Sequence, residues 1–239
     1  MDTLYIVMPA YNEEINIKKT VKEWYSILDG KSEKSRLVVD DYGSTDRTHE
    51  YLMDMQEELP QLKIIQNMRK EHGPKVIGLY QYAITHNADY VFQTDSDGQT
   101  NPKEFKIMWE MRKRYDGIFG NRISRKDGCF RAFIEKGVVL LVLLYFHVSV
   151  PDANAPFRLM NTDILRKYIN YFDADYNLPN IMLVVFFTYY GEKVKFCNIS
   201  FCEREGKGSV NVITIGKIGL KAIHEFGIFK RKMKKGYFN

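Results

Sequence analysis

The chain has 239 residues, of which 45% are hydrophobic and 27% are charged, and its formal net charge is +5. A chain of this length and composition buries a core large enough for one globular domain, which excludes a disordered, collagen-like or disulfide-stapled protein. The longest apolar stretch, residues 138–150, is shorter than the roughly 20 residues of a membrane-spanning helix. We therefore predict no transmembrane helix.

Short apolar runs alternate with longer segments of helical periodicity in the first half of the chain. They predict strands at residues 4–9, 36–40, 62–66 and 89–93 and helices at residues 13–28, 45–59 and 74–86. This alternation predicts an α/β fold with a mostly parallel, Rossmann-like sheet flanked by helices. Ligands bind beyond the carboxyl ends of the strands in such sheets, which is where Asp40, Asp41 and Asp95 fall.

The second half of the chain is less regular. Residues 118–120 and 193–201 predict two further strands, and the last predicted element is a basic C-terminal helix. A helix predicted at residues 133–146 is apolar nearly all round, which favours a buried core helix. Contact of this helix with a membrane surface or a lipid acceptor is the alternative.

Positive charge is concentrated at the end of the chain. Residues 206–239 contain eight basic residues against Glu225 alone, whereas residues 1–205 carry a net charge of −2. Apolar and basic residues interleave in residues 217–235, which suits an anionic membrane surface; a solvated helix end is the alternative. No nucleic-acid-binding motif accompanies this segment, so no nucleic acid partner is predicted.

The cysteines and the N-terminal segment bear on the compartment. The chain has three cysteines without C-x-x-C spacing, which argues against a disulfide framework and against a zinc site. The first residues lack the pattern of a signal peptide. We therefore expect a cytoplasmic protein.

Two carboxylates follow the strand predicted at residues 89–93. Asp95 and Asp97 lie two residues apart on a bend that Gly98 eases, and oxygen ligands of this kind suit Mg²⁺ or Mn²⁺ bound to a diphosphate. A solvated turn is the alternative for the motif alone. An aspartyl phosphatase with the pattern D-x-D-x-T is another, with Asp95 as the nucleophile, but Gln99 stands at the Thr position and the motif lies in mid-chain.

Three strings at the ends of predicted strands closely resemble the motifs of family 2 glycosyltransferases with the GT-A fold. They are P-A-Y-N-E at residues 9–13, D-D-Y-G-S-T-D at residues 40–46 and D-S-D-G-Q at residues 95–99. The resemblance continues through residues 120–122, 152–158 and 204–211, so it covers nearly the whole chain. It implies one GT-A domain that transfers a sugar, with inversion and with a metal ion, from a nucleotide-diphosphate sugar such as a UDP- or GDP-sugar.

The resemblance also implies roles for individual residues. The residues implied to bind the nucleotide are Pro9, Tyr11, Asn12, Glu13, Asp40, Asp41, Asp95 and Ser96. Those implied to bind the metal ion are Asp95, Asp97 and Gln99. The residues implied to bind phosphate or the acceptor are Arg122, Arg131, Arg158, Arg204, Lys207 and Ser209. The residues implied to be catalytic are Asp97 and Asp152. Asp152 is a candidate general base for an acceptor hydroxyl, and a phosphate acceptor would need no base. The inserted Tyr42 leaves open whether Asp40 or Asp41 contacts the base of the nucleotide.

The resemblance divides the chain by function. Residues 1–122 are expected to form a nucleotide-binding half, residues 123–213 an acceptor-side half and residues 214–239 the basic C-terminal helix. The expected acceptor is a cell-surface glycan or a polyprenyl phosphate, with peripheral attachment to the inner face of the membrane. A non-catalytic nucleotide-binding module is the alternative from another class, which the intact segments around Asp152 and Arg204 disfavour.

Overall fold

The computed structural model describes residues 1–125, 129–203 and 212–235, with the backbone alone for residues 124–125, 129–133 and 212–221. Within these ranges one sheet contains the strands β1 (Leu4–Pro9), β2 (Arg36–Asp40), β3 (Leu62–Ile65), β4 (Tyr90–Thr94), β5 (Gly117–Arg125), β6 (Phe157–Asn161) and β7 (Val194–Phe201). The helices are α1 (Ile17–Tyr25), α2 (Thr48–Glu58), α3 (His72–Thr85), α4 (Phe105–Met111), α5 (Cys129–Phe146), α6 (Thr162–Ile169), α7 (Pro179–Tyr189) and α8 (Val212–Lys234).

The strands are arranged in the order β3-β2-β1-β4-β6-β5-β7. β6 runs antiparallel to both of its neighbours, and the other pairs are parallel. The prediction of a mostly parallel α/β sheet is therefore confirmed. The antiparallel strand β6 was not predicted, because its short sequence F-R-L-M-N does not show a strand pattern distinct from its surroundings.

Alternate residues of each central strand enter two different cores. In β1, Leu4, Ile6 and Met8 pack with α1, α2 and α4 on one face of the sheet, and Tyr5 and Val7 pack with α3 and the later helices on the other. Side chains of a strand alternate between the faces, so an unbroken apolar run predicts a strand covered on both sides. The molecule is a three-layer arrangement of helices, sheet and helices.

One edge of the sheet collects the loops that carry the sequence motifs. Pro9 lies opposite Asp40 in the pairing of β1 with β2, so the first two motif loops leave the sheet side by side. Thr94 at the end of β4 lies opposite Phe157 at the start of β6. Because β6 is antiparallel, the segment that precedes it reaches the same edge as the segment that follows β4.

Two apolar helices differ in their burial. α5 exposes Leu140, Leu143 and Leu144, so the expectation of a core helix there is wrong for its outer face. The helix that is buried nearly all round is instead α7, whose residues 179–187 are all buried. Packing between α3, α6, α8 and the sheet covers α7, whereas nothing in the described chain covers the outer face of α5. Among the described residues, no helix meets the length and hydropathy needed to cross a membrane.

Candidate active site

The loop after β4 carries the two carboxylates and is pinned to its surroundings. Ser96 donates its hydroxyl to the carbonyl of Pro9 at 2.9 Å, which ties this loop to the end of β1. The hydroxyls of Thr94 and Thr100 are hydrogen-bonded at 2.7 Å across the base of the loop. Gly98 has a φ of +72°, in the left-handed region that glycine adopts without strain. The positions of the carboxylates are thus set by the strand ends.

A cleft of about 340 Å³ opens at this edge of the sheet. Its lining comes from four segments of the chain: Pro9, Ala10, Tyr11, Glu13, Lys70, Glu71, His72, Gly73, Lys75, Asp95, Ser96, Asp97, Asn177 and Leu178. The structure therefore brings together six of the predicted site residues, Pro9, Tyr11, Glu13, Asp95, Ser96 and Asp97. The volume of the cleft is within the range of sites that bind small molecules.

The carboxylates of Asp95 and Asp97 supply hard oxygen donors at the cleft. An Asp95 oxygen accepts hydrogen bonds from His72 and Gln93, each at 3.1 Å, and an Asp97 oxygen accepts from the backbone N–H of Gln99 at 3.1 Å. In the described part of the chain, no cluster of three or more His, Cys, Asp or Glu side chains is placed to hold a metal ion. Two carboxylates fit Mg²⁺ or Mn²⁺, which takes its other ligands from phosphates and water.

His72 and Gln99 border this donor set. Desolvation works against protonation of His72, but the charge and hydrogen bond of Asp95 raise its pKa above the ordinary value. Gln99 is buried, and its side-chain nitrogen donates to the carbonyl of Cys202 at 2.7 Å. Gln99 therefore joins the loop to the segment after β7 and does not line the cleft.

The adjacent pair Asp40 and Asp41 differs in hydrogen bonding. The two oxygens of Asp40 accept from the backbone of Tyr42 at 3.2 Å and from the amide of Asn67 at 2.8 Å, and burial raises the pKa of Asp40. One oxygen of Asp41 contacts His49 Nδ1 at 2.8 Å, and the other is buried without a hydrogen-bond partner among the described residues. Neither aspartate lines the cleft, and of the two only Asp41 has an oxygen without a hydrogen-bond partner among the described residues.

Asn12 joins two motif loops and does not line the cleft. Its φ is +54°, and its amide oxygen accepts a hydrogen bond from the backbone of Thr45 at 2.7 Å. Its own backbone N–H donates to the hydroxyl of Ser44 at 3.2 Å. The contact places the loop after β1 against the loop after β2.

Lys75 lines the cleft but was not identified from the sequence. It is buried, it donates to the carbonyl of Ala10, and its Nζ lies 5.4 Å from the ring centroid of Tyr11. Burial lowers the pKa of Lys75, and the charges of Asp40 and Asp41 oppose that shift. The position of Lys75 on the apolar face of the predicted helix could have identified it from the sequence, because a buried lysine needs polar or charged partners.

Arg122, which the sequence predicts to contact phosphate or the acceptor, does not line the cleft and is held between two carboxyl groups. Its Nε and Nη2 donate to Asp152 at 2.7 and 2.8 Å, and Nη2 also donates to Glu135 at 3.0 Å. Burial and the charge of Asp152 raise the pKa of Glu135 to about 7, against the opposing charge of Arg122. Burial would also raise the pKa of Asp152, but hydrogen bonds and charge from Arg122 outweigh it and keep that pKa low. A carboxylate so paired is a weak base.

The other predicted basic residues lie elsewhere. Arg158 is buried and donates to the carbonyls of Ala155 and Asn180, each at 2.8 Å, so the structure does not bring it to the cleft. The guanidinium instead satisfies backbone oxygens in the interior. The remaining predicted phosphate or acceptor residues lie outside the described residues; they are the side chain of Arg131 and residues Arg204, Lys207 and Ser209.

Known proteins resemble this chain in sequence and in fold. A dolichyl-phosphate beta-glucosyltransferase from Dictyostelium discoideum is 24% identical over 188 residues, which cover 70% of this chain and 57% of that protein. An undecaprenyl-phosphate 4-deoxy-4-formamido-L-arabinose transferase from Photorhabdus laumondii is 22% identical over 179 residues, which cover 73% of this chain and 54% of that protein. The chain thus spans little more than half the length of these curated relatives.

A solved structure shows the same fold. Glucosyl-3-phosphoglycerate synthase from Mycobacterium tuberculosis, crystallised with Mn²⁺, uridine-diphosphate-glucose and phosphoglyceric acid, matches with a TM-score of 0.69 over 96% of this chain and 79% of that chain. The two sequences are 14% identical, so the likeness bears on the fold, which confirms the GT-A prediction. The family model described as "Glycosyl transferase family 2" matches residues 5–169, a span that holds all three motif loops. With more than half of its length matched by that model, the chain belongs to glycosyl transferase family 2.

Proposed function

We propose that the chain transfers a sugar from a nucleotide-diphosphate sugar to a polyprenyl phosphate, with inversion, at the inner face of a membrane. The observation that carries the proposal is the cleft that joins Asp95 and Asp97 to Lys75 at the carboxyl edge of the sheet. Membership of the family disfavours the phosphatase and the non-catalytic module as alternatives.

The donor would lie across the cleft. Asp95 and Asp97 would hold Mg²⁺ or Mn²⁺, whose charge offsets the negative charge that develops on the leaving diphosphate. Lys75 adds a buried positive charge to the same wall. The spare oxygen of Asp41 would accept a hydrogen bond from an N–H group of the base. His72 would orient the Asp95 carboxylate through its hydrogen bond.

The acceptor side favours an acceptor that is already anionic. A hydroxyl acceptor needs a base in the transition state, whereas a phosphate oxygen is a nucleophile without one. Asp152 has a lowered pKa and both of its oxygens bond to Arg122, so it suits a positioning role better than a base role. The names of the two relatives above include a dolichyl phosphate and an undecaprenyl phosphate, which supports the same class of acceptor.

A surface suited to a membrane lies next to this side. Leu140, Leu143 and Leu144 of α5 are 54%, 44% and 59% exposed. α8 packs beside α5 through ring contacts of Phe226 with Tyr145 and Phe146 at 6.1 and 5.5 Å. The end of α8 and the residue after it carry five basic residues, Lys230, Arg231, Lys232, Lys234 and Lys235. Exposed leucines beside cations are typical of a peripheral attachment to anionic lipids.

Product formation tests the proposal directly. The purified chain is incubated with a panel of UDP- and GDP-sugars and a polyprenyl phosphate, with Mn²⁺, with Mg²⁺ or with EDTA. We expect a lipid-extractable sugar phosphate with the inverted anomeric configuration, and no product in EDTA. Equal turnover of phosphoglyceric acid, or of a polyprenyl alcohol without phosphate, contradicts the proposed acceptor.

The metal role has its own test. Asp97→Asn keeps the Oδ1 acceptor for Gln99 but removes the negative charge. We expect this variant to keep the thermal midpoint of the wild type and to lose Mn²⁺-dependent UDP binding by about tenfold or more, as measured by calorimetric titration. Asp54→Asn, on the exposed face of α2, is the control. UDP binding that is independent of Mn²⁺ in the wild type and unchanged in Asp97→Asn contradicts the assignment.

A further inference from the structure

The segment that leads into β6 is held by three charged side chains in succession. Glu135 accepts a hydrogen bond from the backbone N–H of Ala153 at 3.1 Å, and Asp152 accepts from that of Asn154 at 3.0 Å. Arg158 donates to the carbonyl of Ala155 at 2.8 Å. Consecutive backbone groups are thus satisfied by side chains, which is how a segment without regular structure remains ordered in a buried place.

Glu135 reaches this segment from a different element. It lies on α5, and its side chain is 15% exposed. Besides the Ala153 amide, its carboxyl contacts Arg122 on β5, which also holds Asp152. Glu135 therefore connects the helix, the strand and the segment before β6.

The cluster is largely buried and holds two carboxyl groups against one guanidinium. With both carboxyls ionised it would carry a net negative charge away from water, which is costly. A proton retained on Glu135, whose pKa burial and the charge of Asp152 raise, makes the cluster neutral. In that state Glu135 acts through its hydrogen bonds and not through a charge.

The held segment ends beside the cleft. Phe157 pairs with Thr94, and Thr94 directly precedes Asp95. A shift of the segment before β6 would therefore move the acceptor side relative to the carboxylates of the donor side. Small errors in the alignment of two reactants are costly to the rate of transfer.

We propose that Glu135 is a positioning residue that aligns the acceptor-side segment, residues 152–156, with the donor cleft through its hydrogen bond to the Ala153 backbone. The inference rests on the proposed glycosyl transfer. It assigns to α5 a role in the reaction that none of the family motifs in this sequence covers. Donor binding does not depend on Glu135, because the residue does not line the cleft.

Two variants separate positioning from proton transfer. Glu135→Ala removes both hydrogen bonds, whereas Glu135→Gln keeps a carbonyl oxygen for the Ala153 amide and loses only the acceptor for Arg122, because an amide nitrogen donates. We expect Glu135→Ala to lower kcat with UDP-glucose and polyprenyl phosphate by about tenfold or more, and Glu135→Gln to stay within about threefold of the wild type. The Kd of UDP with Mn²⁺ stays within about twofold in both variants. Rate loss in Glu135→Gln equal to that in Glu135→Ala overturns the proposal, because the Ala153 bond would then not be what sustains the rate.

Amide hydrogen exchange supplies a readout that needs no acceptor. We expect exchange of peptides spanning residues 150–158 to rise in Glu135→Ala and to be restored in Glu135→Gln. The matched control is Glu192→Gln. Glu192 is also 15% exposed and accepts hydrogen bonds from Lys167 and Tyr168. It precedes β7, however, at the opposite end of the strands from the cleft. Unchanged exchange in Glu135→Ala overturns the proposal. A wild type inactive toward polyprenyl phosphate contradicts only the proposed function, and the exchange comparison then still decides whether Glu135 fixes the segment.

Discussion

At the scale of single residues, Asp40 and Asp41 show how neighbouring identical side chains take different roles. Asp40 has both oxygens bonded within the protein, whereas Asp41 keeps a buried oxygen without a partner among the described residues. An unpaired buried acceptor is costly in the free protein, so a ligand N–H that bonds to it gains that energy on binding. The hydrogen bonds, which the sequence does not display, favour Asp41 as the nucleotide contact.

Substitution of the two aspartates separates binding from stability. We expect Asp41→Ala to weaken UDP binding by about 1–3 kcal/mol, because a charged acceptor for the base is lost. Asp40→Ala removes the partner of Asn67 and Tyr42, so we expect it to lower the free energy of unfolding. Calorimetric titration of UDP and urea denaturation measure the two effects. Weaker UDP binding in Asp40→Ala at unchanged stability would move the nucleotide contact to Asp40.

The pKa of Glu135 predicts a pH dependence of stability. Its folded pKa of about 7 lies above the unfolded value of about 4.3, so the folded state binds this proton more tightly. The resulting stabilisation is complete below about pH 4.3 and is lost as the pH rises through about 7. The lowered pKa of Asp152 acts in the opposite direction and only at more acidic pH.

Urea denaturation at several pH values checks this linkage. We expect the free energy of unfolding of the wild type to fall by about 1–3 kcal/mol more than that of Glu135→Gln between about pH 5 and pH 7.5. Other groups, including His72, titrate in both proteins and cancel in the difference. Parallel pH profiles for the two proteins would show that the pKa of Glu135 is not raised.

At the scale of elements, the start of α3 sets the far wall of the cleft. A Cβ on Gly73 would lie 2.5 Å from Asn177 Cα and from the carbonyl oxygen of Tyr176. These are backbone atoms, so no side-chain rotation relieves the contact, and either the helix or the 176–177 segment must move. Gly73 and Asn177 both line the cleft, so their close approach shapes the cleft wall.

A pair of glycine substitutions tests this approach. We expect Gly73→Ala to destabilise the protein by about 1–3 kcal/mol and to weaken UDP binding, because overpacking displaces the cleft wall. Gly137→Ala on α5 is the matched control, since its Cβ would meet nothing within 4 Å. It is expected to stabilise by about 0.5–1 kcal/mol, as alanine favours a helix over glycine. Equal thermal midpoints for the two variants would contradict the close contact at Gly73.

At the scale of the whole molecule, charge and exposed apolar surface are both asymmetric. The net charge of +7 in residues 206–239 contrasts with −2 in the rest of the chain. The exposed leucines of α5 belong to the helix that also carries Glu135, the proposed positioning residue. Attachment through this face would hold the acceptor side near the membrane, where a polyprenyl phosphate resides.

Vesicle sedimentation tests the attachment. We expect the wild type to pellet with vesicles rich in phosphatidylglycerol and to be released at about 0.5 M salt, since screening weakens attraction between exposed charges. Replacement of Leu140, Leu143 and Leu144 by Gln should abolish pelleting. Ile107→Gln on α4 is the control, because Ile107 is 59% exposed, as Leu144 is. Equal pelleting with neutral vesicles, or by the leucine variant, contradicts the proposal.

Sequence patterns determined the strands of the first half and the loops at their carboxyl ends. Apolar runs ended by polar residues define β1, β2, β3 and β4 locally, so their bounds were predicted within about one residue. The motif at residues 95–99 identified the carboxylates for the same reason, since its residues are adjacent in the chain. Information carried by neighbours along the chain is available without the fold.

Tertiary structure alone decided which distant residues meet. Glu135 bonds to Arg122, 13 residues away on another element, and Lys75 bonds to Ala10, 65 residues away. The sequence spacing of these residues did not predict either contact. α5 and α7 have similar apolar sequences, and only the packing of other helices buries one and exposes the other. Burial and pairing depend on what covers a residue in three dimensions, and that information is spread over the whole chain.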